Sequence, residues 1–97
     1  MPVPEVISCE SRPRLAAKAR LRYDRKAERY MLLYPEKGLV LNPTATDVVR
    51  LCTGEHTVGA IVDQLAAKYN QDAPTVEREV MNFLVVLTER GLVQEAP

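Results

Sequence analysis

The chain has 97 residues, 46% of them apolar, with two cysteines and a formal net charge of zero. That length makes one domain able to bury roughly 60–70% of its unfolded surface, so neither a disulfide scaffold nor a structural metal is needed. Cys9 and Cys52 are far apart and lack redox or zinc spacing, no stretch approaches the ~20 apolar residues of a membrane span, and no basic segment followed by an apolar run marks a signal peptide. The reading is a soluble, cytoplasmic domain. The zero balance hides a polarity: residues 12–37 carry nine Lys/Arg against three acids, and residues 38–97 carry four against eight. Such a basic stretch either faces water as a solvated hairpin or steers an acidic partner to one side.

Residues 1–13, with Pro2, Pro4 and Pro13 among polar neighbours, read as a flexible arm, and 14–97 as the domain. Val6-Ile7 is the part of the arm able to dock or to pair with another subunit. Arg20 to Asp24 alternates with period 2, as a strand with one buried face does; Arg25 to Ala27 turns the chain, and Arg29 to Tyr34 returns as a second strand. Pro35 sets φ for a tight turn, and Gly38 is expected to take the backbone angles that close it. Gly38 to Leu41 is then a short apolar third strand. Few strands remain to pair with it, so one edge is expected to stay open, and an open edge accepts another chain's strand.

Asn42 suits an N-cap and Pro43 the first helical position. The first helix runs from Pro43 to Cys52 and stops at Thr53-Gly54. Cys52 falls on its apolar side as a small buried hydrophobe. The second follows Thr57, an N-cap, to Tyr69, with Val58, Ile61, Val62, Leu65, Ala66 and Tyr69 at amphipathic spacing. The third runs from Thr75 to Arg90, ends at Gly91, and leaves Leu92-Val93 as a short extended tail. Its stripe is Val76, Val80, Phe83, Leu84 and Leu87. Met81 and Val85 fall away from that stripe, and Val86 off its other side. Either the helix is wrapped on several sides or part of it lines a groove. The fold class is α+β: a small winged helix-turn-helix-like domain, a three-stranded antiparallel meander followed by three helices.

Catalytic patterns do not emerge. His56, the single histidine, sits in a loop; Ser/His/Asp sets, a nucleophile elbow, a Gly-rich phosphate loop and HExxH are missing from the sequence. A DNA-reading helix needs basic and amide side chains, whereas the third helix offers Glu77, Arg78, Glu79, Asn82, Glu89 and Arg90, an acidic balance. The expectation is a chain that is not an enzyme, binds no nucleic acid and carries no cofactor. The open edge and the arm allow homodimerisation or segment swapping.

Arg12-Pro-Arg-Leu-Ala, Arg20-Leu-Arg-Tyr-Asp24, Leu32-Leu-Tyr-Pro-Glu36, Gly38-Leu-Val-Leu-Asn42, Leu51-Cys-Thr-Gly54, Thr57-Val58 with Ile61-Val62, and Phe83-Leu84 with Leu87 through Arg90-Gly91-Leu92 together resemble the pyrroloquinoline quinone (PQQ) biosynthesis protein D family. The resemblance covers about residues 12–94. Its most specific parts are the Leu-Tyr-Pro-Glu turn and the Leu-Asn helix start. Tyr23 stands where the family often has Trp, and Thr53 where it often has Asp, departures that leave room for a paralogue serving another peptide pathway. The resemblance implies a non-catalytic peptide chaperone. It would bind the ribosomally made precursor peptide of PQQ and present it to the radical SAM enzyme of the pathway. Carried onto this chain, the peptide adds a strand at Gly38, Leu39, Val40 and Leu41 and packs on the third helix. Met81, Leu84 or Val85 would offer apolar pockets, and Arg78 a partner for a peptide carboxylate. Arg20, Arg22, Arg25 and Arg29 would attract an acidic peptide or dock the enzyme. The alternatives are a winged-helix DNA-binding protein and a structural docking subunit of an enzyme complex.

Overall fold

A computed structural model describes residues 7–35 and 37–96; Pro2, Pro4 and Val6 of the arm and Glu36 of the turn lie outside them. Strands β1 (Pro13–Leu15), β2 (Arg20–Asp24), β3 (Arg29–Tyr34) and β4 (Lys37–Leu41) precede helices α1 (Pro43–Leu51), α2 (Val58–Tyr69) and α3 (Ala73–Glu89), and β5 (Val93–Glu95) closes the order. The expected meander is present as an antiparallel sheet in the order β2-β3-β4, and the three helices follow it.

Local chemistry explains the boundaries. The β2–β3 turn is pinned by the Asp24 carboxylate, which accepts from the backbone N–H groups of Lys26 and Ala27, with Glu28 at φ 53° completing the reversal. Asn42 Oδ1 accepts from Ala45 N at 2.7 Å and Thr57 Oγ1 from Ala60 N at 3.1 Å, so both expected N-caps are formed. The third helix starts two residues earlier than expected: Asp72 caps it by accepting from Thr75 N, and Pro74 fits the first turn, where its missing N–H costs nothing. At the far end Gly91 has φ +70°. Its N–H donates to Thr88 O, and that of Leu92 to Leu87 O, so the last carbonyls are satisfied by a left-handed glycine cap.

Gly38 does not close the turn. It lies inside β4, paired with Leu33, while Tyr34↔Lys37 flanks the reversal. A Cβ at Gly38 would come within 2.9 Å of Met31 Cε and 3.0 Å of Leu33 Cδ2; the glycine lets those two side chains fold over it.

The core lies between the inner face of the sheet and the helices. Leu32, Ile61, Leu65, Leu84, Leu87 and Leu92 are fully buried, and truncating any one of them to Ala would cost about 2–5 kcal/mol. The second, two-stranded sheet was not foreseen. β1 pairs with β5, and its other side bonds to the end of α1: Leu15 N donates to Cys52 O, and Gly54 N to Pro13 O. The arm boundary at residue 13 therefore falls inside a strand, and residues 9–11 are docked as well. Val58 N donates to Ser11 O and Gly59 N to Cys9 O, at 2.8 and 2.9 Å. These are first-turn donors of α2 that lack partners within the helix, and the chain upstream of β1 supplies the acceptors.

Candidate functional site

β4 is an edge strand, with β3 on one side and no strand on the other among the described residues. Its alternation is clear. Leu41 is buried and Leu39 half-buried, both against the core, while Gly38 and Val40 face outward, Val40 being 51% exposed. The other edge, β2, carries Arg20 and Arg22 at exposed positions, the kind of charge that blunts an edge. β4 from Gly38 to Leu41 carries none. Its main-chain groups are the ones left available to an incoming strand.

Between α1 and α3, where β4 ends, lies a groove of about 390 Å³, lined by Asn42, Thr44, Ala45 and Val48 on one wall and Glu79, Asn82 and Phe83 on the other. The wall that α3 contributes follows from its wheel. Val76, Val80, Leu84 and Leu87 are its buried residues. At about 100° per residue, Glu79, Asn82, Phe83, Val86 and Arg90 fall on one flank of that stripe, and Glu77, Met81, Val85 and Thr88 on the other. The first flank faces the sheet: Arg90 Nη1 donates to Tyr34 OH at 3.4 Å, and Val86 on the same flank is 39% exposed. The second faces the docked N-terminal segment. The Cys9 thiol donates to Glu77 Oε1 at 2.8 Å, and Thr88 shares a small cavity with Ile7, Ser11 and Pro13.

This arrangement redistributes the residues expected to line the groove. Gly38, Leu39, Val40 and Leu41 are on the free edge, although Leu41 offers only its main chain. Leu84 is fully buried and presents no surface. Met81 packs against the core from the far flank, Val85 is exposed on that flank, and Arg78 points directly away from the buried stripe. On the other flank Asn82 and Phe83 line the groove, and Val86 is exposed on the same flank. The wheel alone could not have separated the two flanks, because both carry apolar residues beyond the stripe and only the placement of the sheet distinguishes them. Of the basic residues, Arg20, Arg22 and Arg29 share the outer face of the sheet through the pairs Arg20↔Leu33, Arg22↔Met31 and Asp24↔Arg29, and Arg25 sits in the turn beside them.

A polar cluster fixes the helices beneath the sheet. Lys68 Nζ donates to Asp47 Oδ2 at 2.8 Å, and Tyr69 OH donates to the same oxygen. Burial pushes the Asp47 carboxyl up, but these two hydrogen bonds outweigh it and hold the group below its ordinary value. The Arg50 guanidinium lies 4.6 Å from the Tyr30 ring centroid and donates to its hydroxyl. Cys52 is buried and its thiol is pushed up to about 12 by desolvation, so it packs as a hydrophobe. Among the described residues, no group of His, Cys, Asp and Glu is arranged to hold a metal ion, and no helix is long and apolar enough to cross a membrane.

A free edge strand is a geometry to which an extended peptide can add a strand, and comparison with known proteins places the chain in a family. The family model for coenzyme PQQ synthesis protein D (PqqD) matches residues 29–93. The chain belongs to the PqqD family. Proteins described as "PqqA binding protein" are similar to it: that of Rhodopseudomonas palustris strain BisB5 is 38% identical over 90 residues, covering 93% of this chain and 88% of the relative. That of Bradyrhizobium diazoefficiens is 39% identical with 93% and 87% covered. Among solved structures, the PqqD truncation of Methylobacterium extorquens PqqCD superposes with a TM-score of 0.80 at 29% identity, covering 92% of this chain and 95% of that one. It is described as a functional, stand-alone recognition element for ribosomally synthesized and post-translationally modified peptides. PqqD from Xanthomonas campestris superposes with a TM-score of 0.58 at 31% identity, with 92% and 99% covered.

Proposed function

We propose that this PqqD-family chain is a non-catalytic peptide chaperone of PQQ biosynthesis. It binds the ribosomally made precursor peptide by strand addition at β4 and presents it to the radical SAM enzyme of the pathway. The observation that carries the reading is the free, uncharged edge of Gly38 to Leu41, which runs at Asn42 into the groove walled by Asn82 and Phe83. Main-chain hydrogen bonds from β4 supply affinity that tolerates sequence. The peptide's inward side chains enter the groove against Leu39 and Phe83, and its outward ones lie beside Val40. Ordering a flexible peptide costs about 2–5 kcal/mol of the gross interaction, so modest affinity for the free peptide is in keeping with the role. The acidic outer surface of α3, with Glu77, Glu79 and Glu89, speaks against a nucleic-acid partner.

The test is an NMR titration of the labelled domain with the precursor peptide. Shifts concentrated in β4 and on the Asn82, Phe83 and Val86 flank support the reading. Val86→Glu should weaken binding at least tenfold, whereas Val85→Glu, on the flank facing residues 7–12, should leave it within twofold. No shifts at millimolar peptide, followed by shifts on adding the enzyme, would instead make the chain a docking subunit.

A further inference from the structure

Among the described residues, the three-stranded sheet has a second face that no helix covers. Leu21, Leu32, Tyr34, Leu39 and Leu41 belong to or pack on the core, and Met31, Leu33 and Val40 do not. The pairing register puts these three on the outer face in two rows, Arg20–Leu33–Gly38 and Arg22–Met31–Val40. An antiparallel sheet with one solvated face ordinarily alternates apolar-in and polar-out. Here the middle strand is apolar on both faces from Tyr30 to Tyr34, and the bare Gly38 lets Met31 and Leu33 close over the sheet surface. Arg20 and Arg22 border this apolar strip on β2. Next to it a hollow of about 430 Å³ has Met31 and Leu33 as its apolar walls and Arg22, Arg25 and Lys26 as its basic ones. Asp24, the acid on this face, is engaged by the turn's own N–H groups. Among the described residues the ion pair formed is Lys68–Asp47, on the other side of the sheet.

We propose that this outer face docks the peptide-modifying enzyme, through a surface of that enzyme carrying an apolar anchor flanked by carboxylates, and that a strand added at β4 becomes part of the docking surface. The inference rests on the strand-addition reading above for its second half. Charge complementarity selects an acidic partner, because the apolar strip is rimmed by cations. The period of the strand supplies the link to function. Side chains alternate between faces, so a strand hydrogen-bonded to β4 sends every second side chain onto the outer face, in line with Gly38 and Val40. An enzyme seated there touches the displayed half of the peptide while the other half is held in the groove. Recognition and presentation are thereby divided between two faces of one sheet.

The experiment titrates the radical SAM enzyme into the isotope-labelled chain, with and without precursor peptide, for the wild type and two variants, Arg20→Glu/Arg22→Glu and Met31→Gln. Circular-dichroism melts establish that both variants are folded. The expected result is broadening at β2, Met31 and Leu33 in the wild type. Both variants should lose at least tenfold in enzyme affinity, with peptide affinity within twofold of wild type. Unchanged enzyme binding in both variants, or no enzyme binding by the wild type, overturns the proposal. Concentration-dependent self-association that the variants relieve also overturns it, by giving the face to a second copy of the chain. A wild type that shows no peptide shifts while the variants still lose the enzyme overturns strand addition and leaves the docking surface standing.

Discussion

At the scale of single residues, two polar contacts tie elements together, one holding the N-terminal segment on α3 and one holding α1 on α2. The Cys9 thiol is exposed, and its hydrogen bond to the Glu77 carboxylate pushes its pKa up, with a further push from slight desolvation and from that same negative charge. A thiolate is the reactive form, so Cys9 should alkylate slowly for an exposed cysteine. Glu77→Gln should speed its reaction with iodoacetamide several-fold at pH 8, read by mass spectrometry, while buried Cys52 stays unmodified in both proteins. An unchanged rate would mean that residues 7–12 do not sit on α3 in solution. Asp47 ties α1 to α2. Its folded pKa is lowered, so its contribution to stability is present above the unfolded carboxylate value of about 3.9 and is lost as pH falls through the folded value. Lys68 is 59% exposed, so Asp47→Asn should cost about 1 kcal/mol or less at pH 7. Urea midpoints of the two proteins should converge as the pH is lowered below the carboxylate range; a gap that persisted at pH 2 would remove the electrostatic explanation.

At the scale of elements, the proposed function falls to the edge strand β4. Its hydrogen bonds alternate in direction: along an antiparallel edge, every second residue points its N–H and C=O toward the partner strand and the next toward solvent. In the free protein, therefore, alternate amides of β4 should exchange with solvent quickly while their neighbours, bonded to β3, are protected. Precursor peptide should protect the fast set selectively. Uniform protection along β4, or protection confined to α3, would point to helix-groove binding without strand addition. The helix opposite is held by equally local devices. The Asp72 cap and the Gly91 turn fix its length, and the contacts Arg90–Tyr34 and Glu77–Cys9 fix which flank meets the sheet and which meets the N-terminal segment.

At the scale of the whole molecule, the domain is a plate of 39 × 38 × 20 Å, one sheet layer and one helix layer thick, each layer adding roughly 10 Å. The basic stretch of residues 12–37 supplies β2 and β3, and the register gathers Arg20, Arg22 and Arg29 on the sheet's outer face. Association with an acidic enzyme surface should consequently slow as salt rises, by several-fold between 20 and 300 mM NaCl in stopped-flow mixing; a salt-independent rate would show that the basic face takes no part in encounter. Much of this architecture was legible in the amino-acid order. Period-2 and period-3.6 patterns, the Asn42 and Thr57 caps and the Gly91 stop are local signals, written in residues a few positions apart, and they set the meander, the three helices and the open edge. Gly38 departs from the expected turn role because a glycine needed for side-chain clearance looks, in sequence, like one needed for a turn. The β1–β5 pair joins residues about eighty positions apart, a distance at which no local pattern speaks. The side of α3 that walls the groove was likewise beyond the sequence: a helix with apolar residues on both flanks of its core stripe is symmetric until another element packs beside it, and only the placement of α1 and the sheet put Asn82 and Phe83, rather than Met81 and Val85, in the wall of the groove.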